Sequence, residues 1–423
     1  MLKAVILIGG PLKGTRFRPL SLDIPKPLFP VAGLPLIQHH IEACIRVPQI
    51  KEILIIGYYP QNDLAQFVHD MTNQYSNRLK IRYLQEFTAL GTAGGLYHFR
   101  DQIRYGQPQA FFVMNGDVCA DFPLASMLDI HMSKDKALIT VLATEATRHQ
   151  SMHYGCMVTD KETNAIEHYV EKPSTFVSTL VNCGVYLCST ELFQTISIFA
   201  SGACSASIDN ENSYVFGSNH DVIRLEQDVL RHLAGTGRAY AAPTLNWWSQ
   251  VKTAGAAIYA NRHYLALKHN MGNLPLNTDG YTTIGHVYVH PTAKVHPTAL
   301  LGPNVSIGSG AQIAAGVRIK ESIILQDACI SQHSLVMHSI VGCSAKIGAW
   351  CRVEGTPCGD PNPNKPFAKM DQLPLFNPDD GRLNPSITIL GCSVIVPSEI
   401  ILLNSIVLPY KSLTRSFKNE IIL

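Results

Sequence analysis

The stretch GGPLKGTRFRPLSLDIPKPLFPVAG, which follows the first apolar run, holds the residue types best suited to chemistry. Gly9, Gly10 and Gly14 carry no side chain, so backbone N–H groups there can approach phosphate oxygens closely. Arg16 and Lys26 add positive charge to the same stretch, which suits a pyrophosphate. A second polar break, at Asp117, ends the run FFVMNGD. The 11 cysteines are scattered, without a C-x-x-C pair or a paired Cys/His spacing. That pattern reads as free thiols in a reducing cytosol, with a zinc site as the alternative.

These residues need elements to position them. From Lys3 to about Pro243 the runs KAVILIGG, EILIIGYY, IRYLQE, AFFVMNGD, ALITVLATE and VNCGVYLCS read as strands. Between them LPLIQHHIEACIRV and DLAQFVHDMTNQY show helical spacing. The alternation predicts an α/β domain with a mainly parallel, doubly wound, Rossmann-like sheet over residues 1–251. Ligands of such sheets sit at the carboxyl ends of the strands, where both polar breaks fall. Residues 252–286 read as a helical linker.

From residue 287 to 423 the texture changes. Val289, Val295, Leu301, Ile307, Ile313, Ile319 and Leu325 recur at steps of six. The register slips near Ser331, resumes at Val341, Ile347 and Val353, and returns at Ile389, Ile395, Ile401 and Val407. Ordinary amphipathic strands have period two, whereas period six makes a coil with one short strand per side, a parallel β-helix. Residues 354–386, rich in Pro, Asn, Asp and Gly, interrupt it. The interruption is either a tolerated surface excursion or a functional loop. Its apolar residues Phe367, Met370, Leu373, Leu375 and Phe376 cluster mid-loop, which suits a tip that docks on a partner chain.

A formal net charge of +2 over 423 residues, with no Lys/Arg block, argues against a nucleic-acid surface. No stretch has the apolar length of a membrane span, and MLKAVILIGG reads as a buried strand rather than a signal peptide. The expected location is cytoplasmic, with small molecules or other chains as partners.

The combination of glycines, Gly-Thr-Arg, Arg-Pro-Leu and Pro-Lys-Pro-Leu resembles the signature of sugar nucleotidyltransferases of the GDP-mannose pyrophosphorylase type. Later segments follow that family's order. LQEFTALGTAGGL, with Glu86, Gly91 and Thr92, is similar to its base-reading strand and loop. VMNGDV, with Asp117, is similar to its metal-binding segment. YGCMV with Tyr154 and Gly155, VEKP with Glu171 and Lys172, and VNCGVY with Asn182 resemble its sugar and sugar-phosphate contacts. The resemblance covers the whole chain and implies left-handed coils of hexapeptide repeats. It also implies attack of a sugar phosphate on the α-phosphorus of GTP, with Mg²⁺ neutralising charge if the chain is active.

Two departures fall on that apparatus. Pro11, Leu12 and Lys13 separate Gly10 from Gly14, where active members have one residue. The W-x-D-x-G motif reads Trp248-Ser249-Gln250-Val251-Lys252, so Gln250 stands in place of the second metal carboxylate and Asp117 is left as a doubtful sole ligand. With the interrupted solenoid, these features resemble the regulatory alpha-subunit branch. That resemblance implies a chain that binds GDP-mannose through Gly9, Gly10, Arg16, Lys26, Glu86, Gly91, Thr92, Asp117, Gly155, Glu171, Lys172, Asn182 and Gln250. It also implies association with a catalytic beta subunit and with itself, feedback inhibition, and no required cofactor. An active guanylyltransferase relying on Asp117 and a bare assembly scaffold are the competing readings.

Overall fold

The computed structural model describes residues 1–11, 15–200, 222–272, 280–357, 376–377 and 381–423. The chain divides into two compact units, Met1–Pro11 with Ile37–Trp248, and Leu12–Leu36 with Ser249–Leu423.

In the first unit the β-branched runs become strands of a nine-stranded sheet. Lys80–Gln85, Ile50–Gly57, Leu2–Gly9 and Ala110–Asn115 lie side by side and parallel, in that order. Helices Leu36–Ile45 and Gln61–Tyr75 form where apolar spacing predicts them. The rest of the sheet is mixed rather than mainly parallel. Leu180–Ser189 runs antiparallel to Ala110–Asn115, Ile139–Glu145 and Gly155–Thr159, and Ile166–Glu171 runs antiparallel to Gly155–Thr159. For the last of these pairs the reason is a short connection. Between Gly155–Thr159 and Ile166–Glu171 the Asp160 carboxylate accepts from the N–H groups of Glu162 and Thr163, closing a turn. A parallel crossover would need a dozen or more residues.

One charged group lies at the centre of the parallel half. Lys3 is fully buried, and its Nζ is 2.7 Å from Glu52 Oε2 and donates to the Gln102 carbonyl at 2.8 Å. Arg82 Nε donates to Glu52 Oε1 at 2.9 Å from the next strand. The register sets this cluster, since Lys3 is paired with Glu52 and Leu54 with Arg82.

In the second unit a helix, Ala254–Asn270, is capped by the Thr253 hydroxyl. Its Asn261 is fully buried, accepts from Ala32 N–H and Ser306 Oγ, and donates to the Asn304 carbonyl. The repeats build three parallel sheets of seven, seven and five strands, consistent with the left-handed β-helix.

The interior positions are Leu301, Ile307, Ile313 and Ile319, then Ile324, Ile330, Val336, Val341, Ile347 and Val353, then Leu390, Val396, Leu402 and Val407. The register therefore slips at Ser322, before Ser331. Val287 pairs with Val305, eighteen residues on, but Ser306 pairs with Ile323, seventeen on. After the interruption Leu390, Val396 and Leu402 are the interior residues, one place later than the sixfold reading gives, and Ile395 (47% exposed) and Ile401 (45%) face solvent, whereas Val407 is interior as read. Hydroxyls explain the shortened corner. Ser322, Ser339, Thr388 and Ser405 are buried there. Ser322 Oγ accepts from Ser339 N–H, and Thr388 Oγ1 accepts from Ser405 N–H. Each hydroxyl satisfies backbone that a longer corner would pair otherwise.

Of the loop 354–386, residues 358–375 and 378–380, with Phe367, Met370, Leu373 and Leu375, lie outside the described residues. Its ends are described, and Thr356 N–H donates to the Ser386 carbonyl at 3.0 Å.

Candidate functional site

Parallel register puts the ends of four strands on one edge of the first unit. Leu7 is level with Asn115, and Gly116 N–H donates to the Leu7 carbonyl at 2.8 Å, so Asp117 leaves the sheet beside Gly9 and Gly10. Gly9 has φ +63°, a left-handed conformation that glycine adopts freely. A Cβ on Gly10 would overlap Tyr58, whose N–H donates to the Gly9 carbonyl. Glu86 N–H in turn donates to the Gly57 carbonyl at 2.7 Å. The Glu86 carboxylate is nearly buried and lies against Gly95, where a Cβ would collide with it.

Gly95 belongs to the helix Gly91–His98, and its start is clamped. Gly91 has φ +79°, and a Cβ there would strike the Ile223 carbonyl. That carbonyl accepts from Ala93 and Gly94 N–H. Thr92 Oγ1 accepts from Leu225 N–H at 2.8 Å and donates to Glu226 Oε2 at 3.2 Å.

The antiparallel strand Leu180–Ser189 runs its first residues past Asn115 on this same edge. Asn182 is held by three bonds: its Oδ1 accepts from Gly184 N–H, and its Nδ2 donates to the Tyr169 and Tyr186 hydroxyls. Tyr186 donates to Glu226 Oε1 at 2.9 Å, and Tyr169 donates to Glu171 Oε2 at 2.8 Å. Glu171 Oε1 lies 3.2 Å from Lys172 Nζ. A continuous polar chain thus runs from Lys172 through Glu171, Tyr169, Asn182, Tyr186 and Glu226 to Thr92. Gly155 is required, because a Cβ there would overlap the Tyr169 hydroxyl. Burial, then the neighbouring carboxylates, push both phenols well above their ordinary range, so they stay neutral donors. Behind this wall the Trp248 indole donates to the Cys183 carbonyl at 2.7 Å, and the Tyr154 ring meets it edge-on.

Ten of the sequence-predicted residues, from Gly9 and Gly10 to Asn182, therefore belong to this unit. Arg16, Lys26 and Gln250 belong to the second unit. Arg16 is exposed on the turn Thr15–Phe17, and Lys26 opens the turn Lys26–Leu28. Among the described residues, Gln250 Oε1 is buried without a hydrogen-bond partner. Gly14 lies outside the described residues. Sequence reasoning passed over Tyr169, Tyr186 and Glu226. Tyr169 and Tyr186 had a signal, since each shares a strand face with a chosen residue, Glu171 and Asn182; Glu226 had none. Among the described residues no three His, Cys, Asp or Glu side chains converge to hold a metal, and no helix is long and apolar enough to cross a membrane.

Two family models match the chain, nucleotidyl transferase over residues 3–259 and the GMPPB C-terminal domain over 283–422. The mannose-1-phosphate guanylyltransferase regulatory subunit alpha of Drosophila melanogaster is 64% identical, with 100% of both chains covered. The corresponding proteins of Danio rerio (alpha-A) and Sus scrofa are each 56% identical, again over 100% of both chains. A crystal structure of a Bacillus anthracis protein assigned as a glucose-1-phosphate thymidylyltransferase, in complex with sucrose, matches with TM-score 0.51. It is 19% identical and covers 66% of this chain and 98% of that one. At that identity the likeness carries the fold alone.

Proposed function

The chain belongs to the nucleotidyl transferase family, in the group of mannose-1-phosphate guanylyltransferase regulatory subunits alpha, and from that premise we propose that it binds GDP-mannose without making it. Its role is to report GDP-mannose to a catalytic beta subunit as feedback inhibition. The observation that carries this reading is the polar chain from Lys172 to Thr92. It keeps the proposed sugar side and base side built and hydrogen-bonded, as a binding site requires.

In the first unit Gly9 and Gly10 face the pyrophosphate, and Glu86, Gly91 and Thr92 face the base. Gly155, Glu171, Lys172 and Asn182 face the mannose, with Asp117 beside the phosphates. The acid groups do not fit a resident Mg²⁺. That ion prefers one or two carboxylates with substrate phosphates, and Gln250 offers a neutral amide where the second carboxylate stands in active members.

Calorimetry on the purified chain tests the reading. GDP-mannose should bind, and Glu171→Ala should weaken binding about 10-fold or more by leaving sugar hydroxyls and the Tyr169 O–H donor without their acceptor. With GTP, mannose 1-phosphate and Mg²⁺ the chain alone should turn over at background. Absence of GDP-mannose binding would leave the scaffold reading, and turnover within tenfold of an active relative would leave the enzyme reading.

A further inference from the structure

The tripeptide Gly-Cys-Ser occurs twice in the solenoid, at 342–344 and 391–393. Register places the two copies side by side. Val341 pairs with Leu390 and Lys346 with Ile395, and Ser393 N–H donates to the Cys343 carbonyl at 2.8 Å. Cys343 and Cys392 are therefore neighbours on successive coils, at the inter-strand spacing of about 4.8 Å. That spacing lies within the Cα separation of disulfides, about 4.4–6.8 Å. Both thiols are free and partly exposed. Cys343 also lines a cavity of ≈ 390 Å³, with Ile24, Leu28, Tyr288 and Gln326 on its walls, wide enough to admit a small reagent. Cys392 Sγ lies 3.6 Å from Ser393 Oγ, beside the exposed Tyr410.

We propose that Cys343 and Cys392 form a dithiol modification site that takes a small-molecule disulfide and closes to an intramolecular one. The Cys392 thiolate attacks one sulfur of the reagent, and one small thiolate leaves. The Cys343 thiolate then attacks the Cys392 sulfur of the mixed disulfide, and the second small thiolate leaves. The two protein thiols lose two protons and two electrons, and the reagent gains them as two thiols. Burial, then the neighbouring Cys392, Asp23 and Asp327, push the Cys343 thiol up to about 11, which assigns it the second step. A disulfide formed by exchange is opened by excess thiol through the same two steps in reverse. It is a reversible mark, and it joins the coil before the interruption to the coil after it.

Mass spectrometry tests the site. The full chain is equilibrated in buffers of reduced and oxidised glutathione, alkylated and digested. The expected product is one cross-linked peptide pair, Cys343 with Cys392, lighter by two hydrogens and reversed by dithiothreitol. Cys343→Ser should accumulate glutathione on Cys392, and Cys392→Ser should leave Cys343 at least tenfold slower to react, with the thermal midpoint reporting that both variants fold. The proposal fails if the wild type holds glutathione on these cysteines without a cross-link, or if neither reacts while other thiols do.

Discussion

At position 250 a carboxamide stands where the resemblance to active guanylyltransferases implies a carboxylate, and among the described residues its buried oxygen has no hydrogen-bond partner. Gln250→Asp alone is expected to leave turnover at background, because Pro11, Leu12 and Lys13 also lengthen the glycine loop. A positioned group moved by about one ångström already costs about 100-fold. Turnover rising 100-fold in a radiolabel assay of the single variant would show that the carboxylate was the whole defect. His131 makes a second prediction at this scale. Burial lowers it from 6.5 to about 4, with Thr140 Oγ1 and Ser189 Oγ on its ring nitrogens. The unfolded chain takes up that proton more readily, so the stabilisation is complete above pH 6.5 and falls as pH drops toward 4. The loss approaches ~3 kcal/mol. Urea midpoints at pH 7, 5.5 and 4.5 should fall less steeply for His131→Gln, and equal slopes would clear this residue. Asp117, Glu171 and Asn182 were legible because each sits in a short motif. Glu226 was not, because what makes it part of the site is Tyr186 and Thr92, 40 and 134 residues away in sequence.

Among the elements, the strands Leu2–Gly9 and Ala110–Asn115 were legible as largely apolar runs buried on both faces. The mixed half of the sheet was not, because pairing direction depends on turns such as that at Asp160. The sixfold repeat was legible without a break to its first shortened corner, and again at Val341, Ile347 and Val353, but not the place of each slip. There the signal is the hydroxyl in Glu321-Ser322-Ile323-Ile324, His338-Ser339-Ile340-Val341 and Asn404-Ser405-Ile406-Val407, which apolar periodicity does not weigh. The strand pair at Lys3 carries its own prediction. Lys3→Met removes a buried charge but leaves Glu52 paired with Arg82 at 2.9 Å. Glu52→Ala instead strands a fully buried ammonium without a counter-charge, left with the Gln102 carbonyl and the face of Tyr105. Breaking a buried pair in that way costs about 3–5 kcal/mol, whereas apolar replacement is often near neutral. Thermal midpoints should therefore fall clearly further for Glu52→Ala, and equal falls would mean that packing, not charge, holds the cluster.

For the molecule as a whole, the interrupted solenoid shows how a long excursion coexists with an unbroken core. The coils close across it, with Ser339 paired to Thr388, Lys346 to Ile395 and Arg352 to Ile401. Its two ends meet at the bond from Thr356 to Ser386. A turn of three or four residues can therefore join Thr356 to Ser386 directly. Two terms then oppose each other. Replacing some thirty residues by four recovers about 2 kcal/mol of closure entropy. Removing the buried Leu383, whose N–H donates to the Asn419 carbonyl, loses about 2–3 kcal/mol of apolar burial. They nearly cancel, so the bridged chain should fold with a thermal midpoint within a few degrees of the parent. That makes the excursion removable for a functional test. If it delivers the proposed inhibition, the bridged chain should still bind GDP-mannose and still join the catalytic subunit. Inhibition of that subunit by GDP-mannose should then fall at least tenfold in potency. Full inhibition by the bridged complex would assign the signal to the coils instead. Loss of GDP-mannose binding by the bridged chain would show that the excursion supports the site itself.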